Sequence, residues 1–106
     1  MTFKVYDKQT KESLPVKVSD EATLMNLAFV IGNKFGLDMF GHAFLFSTNL
    51  RNEYKDKVFT GSSADGDDEN EEVLIKCSEV FAEVGHKLLF IQDLGDCNRF
   101  IVTRKE

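Results

Sequence analysis

Four side chains set the chemical possibilities of this sequence: Asp38, His42, Asp93 and Asp96. Asp93 and Asp96 flank Leu94-Gly95, so a turn there brings two carboxylates close together. Paired carboxylates can share acid–base work or hold a hard cation through oxygen. The same residues have a plain structural use. Asp96 suits the turn, and Asp93 can accept hydrogen bonds from the backbone or from Asn98. His42 follows Gly41 and stands four residues after Asp38. A histidine beside a carboxylate can be a base, a metal ligand or a pH-sensitive group, or it can make one hydrogen bond at a helix–strand junction. His86, between Gly85 and Lys87, reads as an exposed loop residue.

No serine or cysteine stands in a nucleophile motif, and no glycine-rich loop is spaced to cradle phosphate. The run Asp65-Gly-Asp67-Asp68-Glu69-Asn70-Glu71-Glu72 resembles a calcium loop only in charge. An EF-hand needs Gly at the sixth position and Glu at the twelfth. Counted from Asp65, these are Asn70 and Lys76, and the match fails. Cys77 and Cys97 have no CxxC spacing and no histidine pairing, so both are expected as reduced, packed thiols without metal. No cofactor is implied.

Several elements must position these groups. Residues 2–7 and 13–18 alternate, with Phe3 and Val5 on one side and Leu14, Val16 and Val18 on another, which predicts an antiparallel hairpin. Pro15 cannot donate to a ladder, so 13–18 should be an edge strand. Leu24, Leu27, Ala28, Ile31 and Phe35 form a helical stripe, with Asp20 or Thr23 as N-cap and Gly36 as the residue that ends it. Met25, Phe29 and Val30 widen the stripe, as in a helix lying deep against a sheet. His42–Phe46 reads as a third strand. Residues 47–57 are polar and ambiguous, and Val58-Phe59-Thr60 is a short strand or loop anchor. Residues 61–72 read as a mobile acidic loop. A short second helix should fall within 73–84, capped by Ser78 and stopped by Gly85, with Val80, Phe81 and Val84 buried.

The last 21 residues read as a hairpin of strands 87–93 and 98–104. Gly95-Asp96 suits a two-residue turn with Gly first. Pairing Leu94 with Cys97 sets Ile91 opposite Phe100 and Leu89 opposite Val102, a fully apolar face expected in the core. The other face, with Leu88, Phe90, Gln92, Arg99, Ile101 and Thr103, would point outward as a candidate partner surface. The alternative is that residues 47–60 fold over it, with Val58 and Phe59 as plugs.

At 106 residues with ten Phe and 42% apolar content, one domain spanning 1–106 can bury a continuous core unaided. The formal net charge of −5 opposes binding to a nucleic-acid backbone, and no basic stripe appears. No apolar run approaches the ~18 residues of a membrane span, and the alternating N-terminus lacks a signal peptide's apolar block, so the expected location is the cytoplasm. The order of strands and helices predicts an α+β fold of β-grasp (ubiquitin-like) type. It has one main helix across the sheet, a second short helix and a C-terminal hairpin.

Three segments together resemble the plasmid pRiA4b ORF-3-like family. Ala22–Asp38 is similar to its "TL-x-x-L-x-x-x-I-x-x-x-F-G-W/F-D" helix, and Asp38–Phe46 to its "D-x-x-H-x-x-x-F" strand start. Cys77–Phe81 with Gly85–Asp96 is similar to its ending, "L-x-D-x-x-x-x-G-x-x-x-x-Y-x-Y-D-F-G-D". Leu94 stands where the family has Phe, and Cys97 or Asn98 where it has Trp. The resemblance implies an α+β fold and the company of bacterial mobile elements, with no established activity.

Three functions remain. The first is a non-enzymatic protein-interaction module, with a homodimer as its simplest partner. The second is a mobile-element accessory protein acting near nucleic acid. The third is a small hydrolase or metal enzyme, which requires Asp38, His42, Asp93 and Asp96 to converge.

Overall fold

The computed structural model describes residues 1–62 and 72–106, so most of the expected mobile loop, 63–71, lies outside the described residues. Six strands form one sheet: β1 (Thr2–Asp7), β2 (Ser13–Lys17), β3 (Ala43–Ser47), β4 (Val58–Ser62), β5 (Lys87–Gln92) and β6 (Asn98–Arg104). Their order is β2-β1-β6-β5-β3-β4, and every pairing is antiparallel. Among the described residues, two α-helices, α1 (Leu24–Phe35) and α2 (Cys77–Val80), complete a mixed α+β domain. Pro15 lies on the edge strand β2, where its missing N–H costs no sheet hydrogen bond.

Thr23 starts α1. Its hydroxyl accepts from the Asn26 amide, and the Asn26 side chain accepts from the Thr23 amide in return. Gly36 ends it at φ 68°, the left-handed region where glycine carries no side-chain penalty. The stripe Leu24, Leu27, Ala28 and Ile31 is fully buried. Phe29 and Val30 are exposed, so α1 meets the sheet with one face only and is less deep than the wide stripe implied. α2 is shorter than expected. It begins after Lys76, ahead of Ser78, and ends where Phe81 turns into the core against the Phe3 ring, 4.8 Å away. Val84 therefore lies outside the helix and is exposed. The two helix starts are tied together, since Leu24 donates to the Ile75 carbonyl and Cys77 to that of Ala22. At the expected loop's ends, Gly61 and Ser62 belong to β4, and Glu72 accepts from the Thr60 amide and hydroxyl.

The C-terminal hairpin differs from the sequence expectation by one residue. Its pairs are Phe90 with Phe100, Leu88 with Val102, Leu89 with Ile101 and Gln92 with Asn98. The connection is the five-residue stretch 93–97, with Asp93 (φ 62°) and Cys97 (φ 55°) in left-handed conformations and Cys97 N–H donating to the Asp93 carbonyl. Aspartate tolerates that conformation because its short polar side chain bonds locally. The left-handed step thus falls on Asp93, and Gly95 has no positive φ. A shift of one residue exchanges the two faces of a strand. Leu88, Phe90 and Gln92 are therefore buried on the helix side and leave the candidate partner surface. Arg99, Ile101 and Thr103 remain on the outer face, joined by Leu89 and Ile91.

The main core lies between sheet and helices and is rich in phenylalanine: Phe3, Phe44, Phe46, Phe90 and Phe100 come from the strands, and Phe81 follows α2. Both cysteines are free thiols. Burial pushes the Cys77 thiol up to about 11, while Cys97 is only half-buried at the turn. The thiolate is the reactive form. Alkylation of the native protein at neutral pH is expected to modify Cys97 alone, with Cys77 following only in denaturant. Equal rates at both would mean that Cys77 is open to solvent.

Candidate functional site

The sequence-predicted polar group assembles at one end of the sheet. It joins the α1–β3 connection to the β5–β6 turn. His42 Nδ1 stands 3.3 Å from Asp93 Oδ2, and His42 Nε2 stands 3.7 Å from Asp38 Oδ2. Gln92, buried on the same side, donates to the Asp38 carbonyl at 2.7 Å and accepts from Asn98 Nδ2 at 2.7 Å. The Asp93 amide donates to the Ala43 carbonyl at 2.9 Å. Asp93 Oδ1 accepts from the amides of Gly95 and Asp96, so Asp96 enters through its backbone and its side chain is exposed. Asp38, His42 and Asp93 converge, whereas Asp96 joins Asp93 through its backbone amide. Each ring nitrogen of His42 already faces a carboxylate. The arrangement is a clasp between two loops, with side-chain exposures of 77%, 37% and 20% for Asp38, His42 and Asp93. Gln92 is the participant that sequence reasoning assigned to the opposite face.

The sheet's outer face divides into two halves. Over β5, β3 and β4 lies a second apolar cluster of Leu45, Leu89 and Ile91, closed by Leu50, Val58 and Ile101. Residues 48–57 form the cover. Thr48 and Lys57 bond to each other, and Asn49 accepts from the amides of Arg51 and Asn52 and donates to Asp56. Glu53 takes both guanidinium nitrogens of Arg99 at 3.1 and 3.2 Å, which pins the cover to β6. The covering alternative for residues 47–60 thus holds for half the face, with one change. Leu50 and Val58 are the plugs, whereas Phe59 pairs with Phe46 on the helix side.

The Arg99 hydrogen bonds hold the Glu53 carboxyl below its usual range. A carboxylate depressed in the folded state contributes attachment that is present above its unfolded pKa and lost as pH falls through the folded value. Protection of amides 48–57, corrected for intrinsic exchange, is expected to fall in acid below roughly pH 4. Glu53→Gln should show weaker protection without that pH dependence. An identical acid profile in the variant would dissociate the cover from this pair.

Among the described residues, nothing covers the other half, over β6, β1 and β2. Here a cavity of about 270 Å³ is lined by Lys4, Tyr6, Lys87, Ile101, Thr103 and Lys105. The register explains its composition. Lys4 and Lys87 flank Thr103 in one row across β1, β6 and β5, and Tyr6 pairs with Ile101 in the adjacent row. Thr103 and Ile101 were expected on an outward face, while the lysines went unread because strand adjacency alone unites residues so distant in sequence.

These features define a small α+β domain with both helices on one face of an antiparallel sheet and an outer face only half covered. Among solved structures, the chain is similar to a protein of unknown function, MM3350 from Methanosarcina mazei Go1. The likeness has a TM-score of 0.67 at 18% identity, covering 99% of this chain and 59% of that one, and it is a likeness of fold. No protein-family model and no curated protein matches the chain. No helix among the described residues is long and apolar enough to cross a membrane.

Proposed function

We propose that the chain is a non-enzymatic interaction module that engages an anionic partner on the uncovered half of its outer sheet face. The carrying observation is the cavity between Lys4, Lys87 and Lys105, whose lining among the described residues includes no carboxylate. Face-to-face pairing of two copies would bring two sets of three lysines together, so a partner of opposite charge fits better than a homodimer. A soluble polyglutamate peptide and inorganic pyrophosphate are suitable calorimetric probes. Saturable binding of at least one is expected, and Thr103→Glu should abolish it while keeping the thermal transition. Silence with both probes, or unchanged binding by the variant, would sink this reading.

We further place the chain with the pRiA4b ORF-3-like proteins. The three resembling segments supply α1, the start of β3, and the run from α2 to the hairpin turn, and they meet in the clasp. The β-grasp reading is supported by the strand–strand–helix order and by α1 packing on one face. The β5–β6 hairpin adds a strand that sets β1 and β6 antiparallel. A second reading, a small hydrolase, would use His42 as the base, with Asp38 and Asp93 facing its two ring nitrogens; among the described residues no group of three potential ligands is placed to hold a metal ion. Under it, His42→Ala would lose hydrolytic activity. Under the clasp reading, the variant only loosens the 37–42 connection.

A further inference from the structure

We propose that the cavity over β1, β6 and β5 is a binding site for a phosphate monoester, a choice that rests on the outer face being the working surface. Among the described residues, Lys76 and Arg99 alone of the thirteen lysines and arginines are ion-paired, with Glu21 and Glu53, so what sets Lys4, Lys87 and Lys105 apart is their shared place around one concavity. Lys4 and Lys87 stand on strands to either side of β6, and Lys105 follows its end, so three like charges ring one cavity. A bound anion offsets their mutual repulsion.

The donor set selects the anion. Each ammonium is a point charge with three rotatable N–H donors and makes no demand for a planar, two-oxygen acceptor. Three of them around one cavity match the terminal oxygens of a phosphate group better than the two oxygens of a carboxylate. The Thr103 and Tyr6 hydroxyls add neutral donors on the same floor. Ile101 and the Tyr6 ring give the ester's organic part an apolar surface. The volume of about 270 Å³ lies just below the usual range of ligand pockets, which suits a compact group.

The test is a titration of the ¹⁵N-labelled full chain with phenyl phosphate, inorganic phosphate and benzoate. Phenyl phosphate is expected to saturate, with shifts confined to residues 4–6, 87–89 and 101–105, and to weaken as salt rises. Inorganic phosphate should bind the same place less tightly, and benzoate at least about tenfold less tightly than phenyl phosphate. Lys4→Gln/Lys87→Gln should lose about tenfold in affinity for phenyl phosphate, since both charged donors are removed while the stems remain. The variant's thermal transition guards against a folding artefact. Benzoate binding as tightly as phenyl phosphate would overturn the phosphate assignment and leave the anionic-partner reading standing. No saturable binding by any probe, with polyglutamate and pyrophosphate also silent, would overturn both. Unchanged affinity in the double variant would place the site elsewhere and overturn the proposal.

Discussion

Phe90→Asp is expected to lose its cooperative thermal transition. Phe90 is fully buried, with ring centroids 4.8 Å from Phe46, 5.8 Å from Phe100 and 6.0 Å from Phe44. Truncating such a phenylalanine to alanine costs about 3–5 kcal/mol. Whole-domain stabilities are only about 5–15 kcal/mol. Aspartate adds an unpartnered carboxyl to the same cavity, which costs more again. Circular dichroism on heating is the measurement. Thr103→Glu, on the opposite face of the same hairpin, is the control that should melt normally. The reverse pattern, with Phe90→Asp stable and Thr103→Glu unfolded, would restore the two-residue turn and the other register.

Gly61→Val is expected to destabilise by about 1–3 kcal/mol through overpacking. Judged as a strand position, the change looks favourable, because valine suits a pleated surface. The packing decides otherwise. A Cβ at Gly61 would stand 2.7 Å from Val73 Cγ2 and 2.8 Å from the Phe44 ring. Phe44 is locked among Phe29, Phe46 and Phe90, so it cannot move aside freely. For a domain of about this size, each kcal/mol lowers Tm by roughly 4–8 °C. A Tm within one degree of the parent would mean that β4 shifts outward at little cost. Gly61→Val/Val73→Ala, which frees space beside the new side chain, should recover part of the loss.

Much of this architecture is legible in the residues because it is local. The alternation of Phe3 and Val5, the Leu24–Ile31 stripe with its Thr23 cap and Gly36 stop, and the edge placement demanded by Pro15 all follow from spacing and backbone chemistry. Strand pairing is where local reading runs out. The Gly95-Asp96 dipeptide has suitable turn chemistry, but Asp93 and Cys97 take the left-handed conformations, and the difference of one residue exchanges the faces of β5. Nothing in residues 93–97 alone decides between the two turns. The helix side decides it, by accepting Phe90 and Phe100 beside Phe44 and Phe46. The candidate site divides in the same way. Asp38 and His42 sit four residues apart and were readable as partners, whereas Asp93 joins them only because β3 lies beside β5. Lys4, Lys87 and Lys105 come together only once β6 is known to separate β1 from β5.

The pairing of β1 with β6 also has a consequence for how the chain matures. The first strand spans residues 2–7 and its central neighbour spans 98–104, so the sheet cannot close until β6 has been made. At a synthesis rate of about 5–20 residues per second, the β1–β2 hairpin waits on the order of 5–20 s for that neighbour. During this interval Phe3 and Val5 lack their permanent core, and one side of β1 offers unpaired backbone groups to any other nascent strand. Exposed strand edges invite such mispairing, and charge and proline are the common protections. Lys4 and Pro15 lie opposite each other in this hairpin. Pro15 removes a donor from the outer edge of β2, and Lys4 adds a charge on β1, both features of the kind that discourage such mispairing.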